Sequence, residues 1–558
     1  MPASRPRLEL VWPGKDQFLL TPTGSEGKPV WVDPGHPAAH EVRLTEFTGA
    51  HGQVNEGDPH ADNLVFTGDS LDVLRVLCEV PEYRQHYRGK IKLIYCDPPF
   101  NSQQSFAHYD DWMDHSTWLS FMRDRLMLMK DLLAPGGSIW LHLDNYEVHR
   151  MRCLMDEVFG SASFLSTVIW QRTTAKSTAQ RSMGTLYDTI LVYAASAETR
   201  LNRVLRPYSE EYLRTKYSNV DERGRYRLDT LVGPGIRYGS SGQPWRGIDV
   251  AAKNLNWRAP NPDGVLDHLP GDATTQEKLD SLLEAGYIQM PKRPGGMPQF
   301  KRYLREDGGV AVGDLWTDIT VLNSQSRERL GYSTQKPEQL IERILLMATE
   351  PGDTVCDLFA GSGTTAAAAH KMGRRWITAD VLASTVDGYV IPRLSRVSED
   401  SASMLPDDIA LPNGFRTVTV GPSMYEVTPV GVMLAGWATN GKFARAVAGQ
   451  LGFTFQQDAA PLCGVRGRMR LAVLDGAVGA EEIREIVAAL GDSERVTVVA
   501  KVILPDAEEA LTRVSRGSKI RKAPRDLLAD HVRRARRANR RVPVRSSADG
   551  VTSNRGPQ

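Results

Sequence analysis

From residue 63 onward, short apolar runs alternate with segments of helical spacing, and this alternation limits the fold more than any other feature of the chain. Residues 63–69 read as a strand ending in a Gly68-Asp69 turn, and Ser70 caps a helical run over 71–77. Residues 91–96 are a second strand. A helix spans about 116–133, stopped by Ala134-Pro135-Gly136-Gly137. A third strand (138–143), a third helix (146–159) and two β-rich runs (164–170 and 189–193) follow. The pattern lapses over 197–330, which is rich in Arg, Tyr, Trp, Gly and Pro. It returns with a helix at 337–348, a strand at 354–358, an alanine-rich helix at 364–372 and a strand at 375–380. Strands alternating with helices predict a doubly wound, mostly parallel α/β sheet covered on both faces. The chain therefore reads as one such sheet with a long insertion. A smaller α/β pattern follows over 420–515, with strands at 469–474 and 496–503 around a helix at 480–490.

The chain has 558 residues, enough for about three domains. No apolar run approaches the roughly 18 residues of a membrane span, and the N-terminus does not read as a secretory signal. Cys78, Cys96, Cys153, Cys356 and Cys463 are scattered without a C-x-x-C pair. That argues against a disulfide framework or zinc cluster and fits a reducing cytoplasm. The net charge of +1 conceals an asymmetry. Between Arg513 and Arg545 thirteen Lys or Arg face two Asp, so the remainder is acidic. Contact with a polyanion and a merely solvated tail explain this stretch equally well.

Asp357-Leu358-Phe359-Ala360-Gly361-Ser362-Gly363-Thr364-Thr365 has the strand–turn–helix context of a nucleotide-type pocket. Its glycines admit a ligand close to the backbone, and the helix start offers free N–H groups. Asp380 ends the next strand, where a carboxylate can accept ribose hydroxyls. Ala366 replaces the third glycine of a dinucleotide fingerprint, and no Walker A lysine follows. A glycine turn serving only packing would look the same. Asp97-Pro98-Pro99-Phe100 must end a central strand, because two successive prolines donate no ladder hydrogen bonds. It brings together a carboxylate, carbonyls free to face a cleft and an aromatic ring. Two acceptors could hold both protons of an exocyclic amino group and aim its lone pair at a methyl sulfonium, while Phe100 stacks on the base. Such chemistry requires the base outside the helix and rests on positioning and electrostatics. A plain strand-ending turn explains the strip by itself as well.

Taken together and in this order, Gly68-Asp69, Asp97-Pro98-Pro99-Phe100, Gln335-Lys336-Pro337 and Asp357 to Thr365 resemble the β-class DNA amino-methyltransferases. Residues 92–101 and Met155-Asp156-Glu157-Val158-Phe159-Gly160 resemble the modification subunits of type III restriction systems and their solitary relatives. The resemblance spans roughly 62–382. It implies a methyltransferase sheet permuted in chain order, with S-adenosylmethionine as cofactor. It implies that Asp97, Pro98, Pro99 and Phe100 hold the target base. Asp357, Phe359, Gly361, Gly363 and Thr364 would line the cofactor pocket. Asp380 would hold the cofactor ribose and Asp69 would lie near its adenine, with Lys336 and Pro337 beside its methionine end. No metal is implied. The resemblance implies a catalytic half (61–196), a target-recognition region (197–330) and a cofactor half (331–395), while composition and periodicity mark an N-terminal arm (1–60), a small C-terminal α/β domain (396–512) and a basic tail (513–558).

Three features depart from the family pattern. Phe100 stands where adenine enzymes more often have Tyr, Thr378-Ala379 replaces the usual Gly before the second acid, and the match fades after Leu382. His108, His115 and His142 lack metal-ligand spacing and read as ordinary polar residues. Trp140 and Trp170 read as core. A loop containing Arg172, Lys176 and Arg181 could track a phosphate strand or be a solvated hairpin. The acid at position 97 favours N6-adenine methylation of duplex DNA over N4-cytosine methylation, since N4-cytosine members usually carry Ser there. A non-catalytic DNA-binding subunit is the alternative of another class. A restriction or phage-defence subunit and a second copy of the chain are the candidate protein partners.

Overall fold

The computed structural model describes residues 9–20, 30–34, 36, 39–102, 104–105, 110–111, 113–174, 183–293, 296–305, 307–323, 325–401, 413–428 and 431–527. Lys176, Arg181, His108 and the tail beyond 527 lie outside the described residues. The chain divides into two compact units, residues 1–202 with 313–558, and residues 203–312.

The first unit is built on ten strands: β1 (Thr45–His51), β2 (Asn63–Thr67), β3 (Ile91–Cys96), β4 (Leu133–Leu143), β5 (Phe164–Gln171), β6 (Tyr187–Ala194), β7 (Leu315–Trp316), β8 (Thr354–Asp357), β9 (Arg375–Asp380) and β10 (Phe415–Val420). Their order across the sheet is β7-β5-β6-β4-β3-β8-β9-β2-β10-β1. β4, β3, β8, β9, β2 and β10 run parallel, while β6 and β1 run antiparallel to their neighbours. This is the mostly parallel doubly wound sheet that the alternation predicts.

Strand residues alternate between two apolar layers, because successive side chains leave opposite faces of a strand. Phe66, Ile94, Cys96, Leu141, Cys356 and Ile377 join one core beneath the helices Ser70–Glu79 (α1), His115–Leu132 (α2) and Val148–Phe159 (α3). Their neighbours Val65, Leu93, Tyr95, Trp140, Val355 and Trp376 are equally buried but lie outside that core. Glu338–Ala348 (α4), Thr364–Lys371 (α5) and Ile391–Ser401 (α6) pack on one another as a separate group. Trp140 and Trp170 are core residues, as their apolar settings suggest.

Three boundaries differ from the sequence reading. β4 starts at Leu133, so the Pro135-Gly136-Gly137 stop is an irregular strand start whose register shifts against β3. A Cβ at Gly137 would meet the Ile91 carbonyl oxygen at 2.8 Å, which explains the glycine. The expected N-terminal arm contributes β1, and β10 from beyond residue 396 pairs parallel with β2 and antiparallel with β1. Segments on either side of the alternating region thus complete the central sheet. The basic stretch from Arg513 also begins inside folded structure, since Lys519–Lys522 is an edge strand. It closes a five-stranded sheet in which Met469–Val478, Arg495–Ile503 and Lys519–Lys522 run parallel, packed by helices Asn440–Leu451, Ala480–Ala488 and Ala507–Val514.

The second unit, which has no clear periodicity in sequence, is an independent fold. Asn219–Asp221, Gly224–Thr230, Gln299–Tyr303 and Ile288–Gln289 form an antiparallel sheet. Helix Thr275–Glu284 starts in a capping box between Thr274 and Glu277. Val232–Pro234 pairs with Leu255–Trp257. Trp245, Val250, Trp257, Leu279 and Phe300 make its core. Leu205 and Arg206 pair with Ala311 and Val310, so the unit's chain enters and leaves side by side.

Candidate active site

Four neighbouring parallel strands, β3, β8, β9 and β2, each end in or just before a carboxylate: Asp97, Asp357, Asp380 and Asp69. Their C-terminal ends open into a cavity of about 310 Å³. In open α/β sheets this is where ligands bind. All four acids, the strip Pro98 to Phe100, and Lys336, Phe359, Gly361 and Thr364 lie on its wall. Pro337 and Gly363, read from sequence as cofactor contacts, are not on the wall. Pro337 caps α4, and Gly363 caps α5 at φ +74°.

At the strip, Lys336 Nζ donates to Asp97 Oδ2 at 2.5 Å. Asp97 Oδ1 is buried and accepts no hydrogen bond from a described residue. Trp118 Nε1 donates to the Pro99 carbonyl (2.8 Å), which fixes the backbone where the strand ends. The Phe100 ring is half-buried, with its centroid 5.8 Å from His142 and the Lys336 ammonium 5.1 Å from it. His142 is itself fully buried. Its Nδ1 lies 2.8 Å from the Tyr95 hydroxyl and its Nε2 3.2 Å from Asp188 Oδ2. Arg172 Nε lies 3.0 Å from the other Asp188 oxygen. This histidine therefore belongs to a buried polar layer beneath the aromatic ring.

Residue 101 takes the left-handed conformation (φ +59°), which Asn tolerates better than most side chains. Asn101 Nδ2 donates to Glu147 Oε1 (2.7 Å), and Asn101 Oδ1 accepts from Met113 N (2.7 Å). Glu147 is wholly buried. It also accepts from His115 Nδ1 (2.5 Å) and Arg150 Nη1 (3.2 Å).

On the glycine side, Gly361 (φ +50°) and Gly363 (φ +74°) are both in the left-handed region, so the turn does require glycine. Asp380 Oδ2 accepts from Gly361 N (3.1 Å) and Oδ1 from Leu382 N (3.0 Å). The Asp357 carboxylate accepts from Phe359 N (3.0 Å). Burial, with Asp97 and Asp380 adding repulsion, pushes its pKa up to about 7 although Thr365 and Phe359 N donate to it. Thr378, the departure noted in sequence, donates its hydroxyl to the Asp357 carbonyl (3.0 Å) and ties β9 to β8.

Sequence reasoning missed several contributors. Tyr332 packs on Gly361, where a Cβ would meet its ring at 3.1 Å. Burial raises its hydroxyl pKa, and Asp380 and Asp97 raise it further. Arg125, 1% exposed, clamps Asp69 with 2.8 Å contacts to both oxygens and also donates to Ser70 Oγ (2.7 Å). Asp69 in turn caps α1 by accepting from Leu71 N (2.8 Å). Arg393 donates to Thr364 Oγ1 (2.9 Å) and Glu338 Oε1 (2.8 Å), joining the glycine turn to α4. These partners lie far apart in sequence and carry no local signal. Among the described residues no group of three His, Cys, Asp or Glu could hold a metal ion, and no helix is long and apolar enough to cross a membrane.

A family model described as "DNA methylase" matches residues 91–389. A type II methyltransferase of Enterobacter cloacae, M.EcaI, is 32% identical over 325 residues, covering 57% of this chain and 66% of that protein. The StyLTI Mod subunit, from a type III restriction-modification enzyme of Salmonella typhimurium, is 28% identical over 344 residues, covering 55% of this chain and 49% of the subunit. The chain thus spans about half to two-thirds of these relatives' lengths. Among solved structures, the cytosine-N4-specific PvuII DNA methyltransferase aligns at 14% identity and TM-score 0.32, covering 64% of this chain and 92% of that one.

Proposed function

The chain belongs to the DNA methylase family whose model it matches, and from that premise we propose that it transfers the methyl group of S-adenosylmethionine to the N6 amino nitrogen of an adenine turned out of duplex DNA, at a specific site. The observation that carries this reading is the Asp97 carboxylate, with one oxygen held by Lys336 and the other buried at the cavity wall without a donor among the described residues. A buried acceptor left unpaired costs stability, so it is retained for something it receives.

S-adenosylmethionine supplies an electrophilic methyl group on a positively charged sulfur. A cavity ringed by four carboxylates against one lysine suits that charge. Asp357, Asp380 and the turn at Phe359, Gly361 and Thr364 would hold the cofactor, with Asp69 and Lys336 at its two ends. Pro337 and Gly363 would act by starting the flanking helices. Asp97 Oδ1 and the Pro98 carbonyl accept the two amino protons of the base. They hold the nitrogen pyramidal with its lone pair toward the methyl carbon. When bound, the cofactor would supply its methyl carbon to this nitrogen with the sulfur as leaving group, and Asp97 would take the proton lost from the nitrogen. Phe100, seated on His142, stacks against the base. With Lys336 on Oδ2, Oδ1 is the Asp97 oxygen without a partner among the described residues, which orients the amino group. The likeness to a Mod subunit supports a restriction subunit as protein partner.

Labelled S-adenosylmethionine and unmethylated DNA test the reading. Label is expected in N6-methyladenine, falling about 100- to 1000-fold in Asp97→Ala. Label in N4-methylcytosine instead would transfer the reading to cytosine. A protein that binds cofactor and DNA but labels neither base would be a binding subunit.

A further inference from the structure

In the second unit, strand Val232–Pro234 runs into a loop whose residues 236–239 are all exposed. Tyr238 is 96% exposed and Ile236 52%. The loop is nevertheless anchored on both sides. Asn256 Nδ2 donates to the carbonyls of Gly233 (3.2 Å), Pro234 (2.9 Å) and Gly235 (2.8 Å), and Gly235 N donates to the Asn254 carbonyl (2.9 Å). On the far side Thr275 N donates to Ser240 Oγ (3.2 Å), and Gln276 Nε2 donates to the Ser240 carbonyl (2.7 Å). Gly242 passes so close to Arg237 that a Cβ there would lie 1.7 Å from the Arg237 carbonyl oxygen. The loop is therefore closed by a glycine and stapled at its base, and it presents its aromatic residue outward.

Nothing in the unit's own packing calls for that ring. A tyrosine gains by covering its ring, and this one is almost wholly in water. A rigid, exposed aromatic is the form that a binding anchor takes, because little side-chain or loop entropy is lost on contact. The charge around it selects the partner. No Asp or Glu occurs between Asp229 and Asp249, and Arg237 at the tip makes no ion pair with a described residue. A cation without a counter-carboxylate beside an exposed ring suits a phosphate backbone and base faces better than a protein surface.

We propose that Ile236-Arg237-Tyr238 is a wedge for duplex DNA. Tyr238 stacks on the bases that border a gap in the duplex, Ile236 covers the adjoining step and Arg237 meets the neighbouring phosphate. The assignment rests on the reading above that the target base is extruded. It adds which residues of the second unit meet a gap of that kind.

The test uses the full chain as wild type, Tyr238→Ala and Tyr238→Phe. Binding is measured to a matched duplex and to the same duplex with one central abasic gap, and methyl transfer is measured in parallel. Tyr238→Ala should lose about tenfold or more in affinity for the gapped duplex and little for a matched duplex lacking a target site, while Tyr238→Phe keeps wild-type affinity. An unchanged melting profile is expected for both variants, since the side chain is in solvent. Equal losses on both duplexes would make Tyr238 an ordinary backbone contact and overturn the wedge. Unchanged DNA binding with altered sedimentation would overturn it in favour of a second copy at the tip. Gap-selective binding that depends on Tyr238, in a wild type that transfers no methyl group, would leave the wedge standing and defeat the reading of the reaction. Full transfer with no Tyr238 dependence would do the reverse.

Discussion

Asp357 shows how one side chain can report on the state of the cavity. Its carboxyl is buried at the end of β8, and burial pushes its pKa up to about 7. The folded protein therefore holds this proton to higher pH than the unfolded chain does. The group's stabilising contribution is complete below about pH 4 and is lost as pH rises toward 7, a change of order 4 kcal/mol for a three-unit shift. Thermal melting between pH 4 and 8 should show this loss superimposed on the other titrations, and Asp357→Asn should flatten it. A variant whose slope over that range matches wild type would remove Asp357 as the source. A positively charged cofactor placed beside it favours the ionised form. S-adenosylmethionine should accordingly bind more tightly as pH rises through 7 and release a proton on binding, seen by calorimetry in buffers of different ionisation heat. The four acids were legible one by one: Asp69 and Asp97 stand beside a glycine and a proline, Asp357 opens the glycine turn and Asp380 ends the next strand. That they would share one site was implied by the family resemblance alone; the non-sequential strand order that makes their strands neighbours is not legible in the alternation. Arg125, Tyr332 and Arg393 were not legible. Arg125 meets Asp69 and Arg393 meets Glu338 across long stretches of chain, and an arginine inside a helix looks the same whether it is solvated or clamped.

Between β3 and α2 the chain carries the strip that would receive the base, and one carboxylate from the start of α3 governs its exit. Glu147 holds Asn101, His115 and Arg150 at once, with Asn101 in the left-handed conformation just after Phe100. Glu147→Ala would leave the buried Asn101 amide without its acceptor, while the more exposed His115 and Arg150 turn to water, and would cost about 1–3 kcal/mol. The strip would lose its fixed departure angle while the glycine turn, on β8 and α5, keeps its own hydrogen bonds. Methyl transfer should fall about tenfold or more in kcat with cofactor affinity within about twofold of wild type, because misplacing reacting groups costs rate before it costs binding. A folded variant with normal kcat would show that Glu147 serves stability alone. The same contrast explains which elements were readable. α1 to α5 and the central strands carry a strong period over many residues, and their positions match to within a few residues. β1 and β10 were missed because neither has a neighbour in sequence to pair with. They are strands only because the edge at β2 accepts them. In the second unit the strands are two to seven residues long, too short for a period of two to accumulate.

At the scale of the molecule, the insertion at 203–312 enters and leaves through one antiparallel pair, Leu205 with Ala311 and Arg206 with Val310. Paired Cα atoms in such a ladder stand about 5 Å apart, a gap that a two- to four-residue turn spans. The insertion also has its own core around Trp245, Trp257 and Leu279, which the first unit does not supply. The central sheet, its two helix layers and all four cavity acids belong to the other unit. Replacing 207–309 by a short Gly-Ser turn should therefore leave a folded α/β protein. That protein should still bind S-adenosylmethionine within a few-fold of the full chain, because no cavity residue is removed. If the insertion reads the DNA site, the shortened protein should lose specific methylation by about 1000-fold or more, the gap between specific and non-specific binding in DNA-reading proteins. It should keep weak, strongly salt-dependent affinity for any duplex if the basic stretch from Arg513 meets phosphates. Retained sequence-specific methylation would place site recognition in the first unit. Loss of cofactor binding by a soluble, cooperatively melting product would mean that the acids at the strand ends are not a self-sufficient pocket.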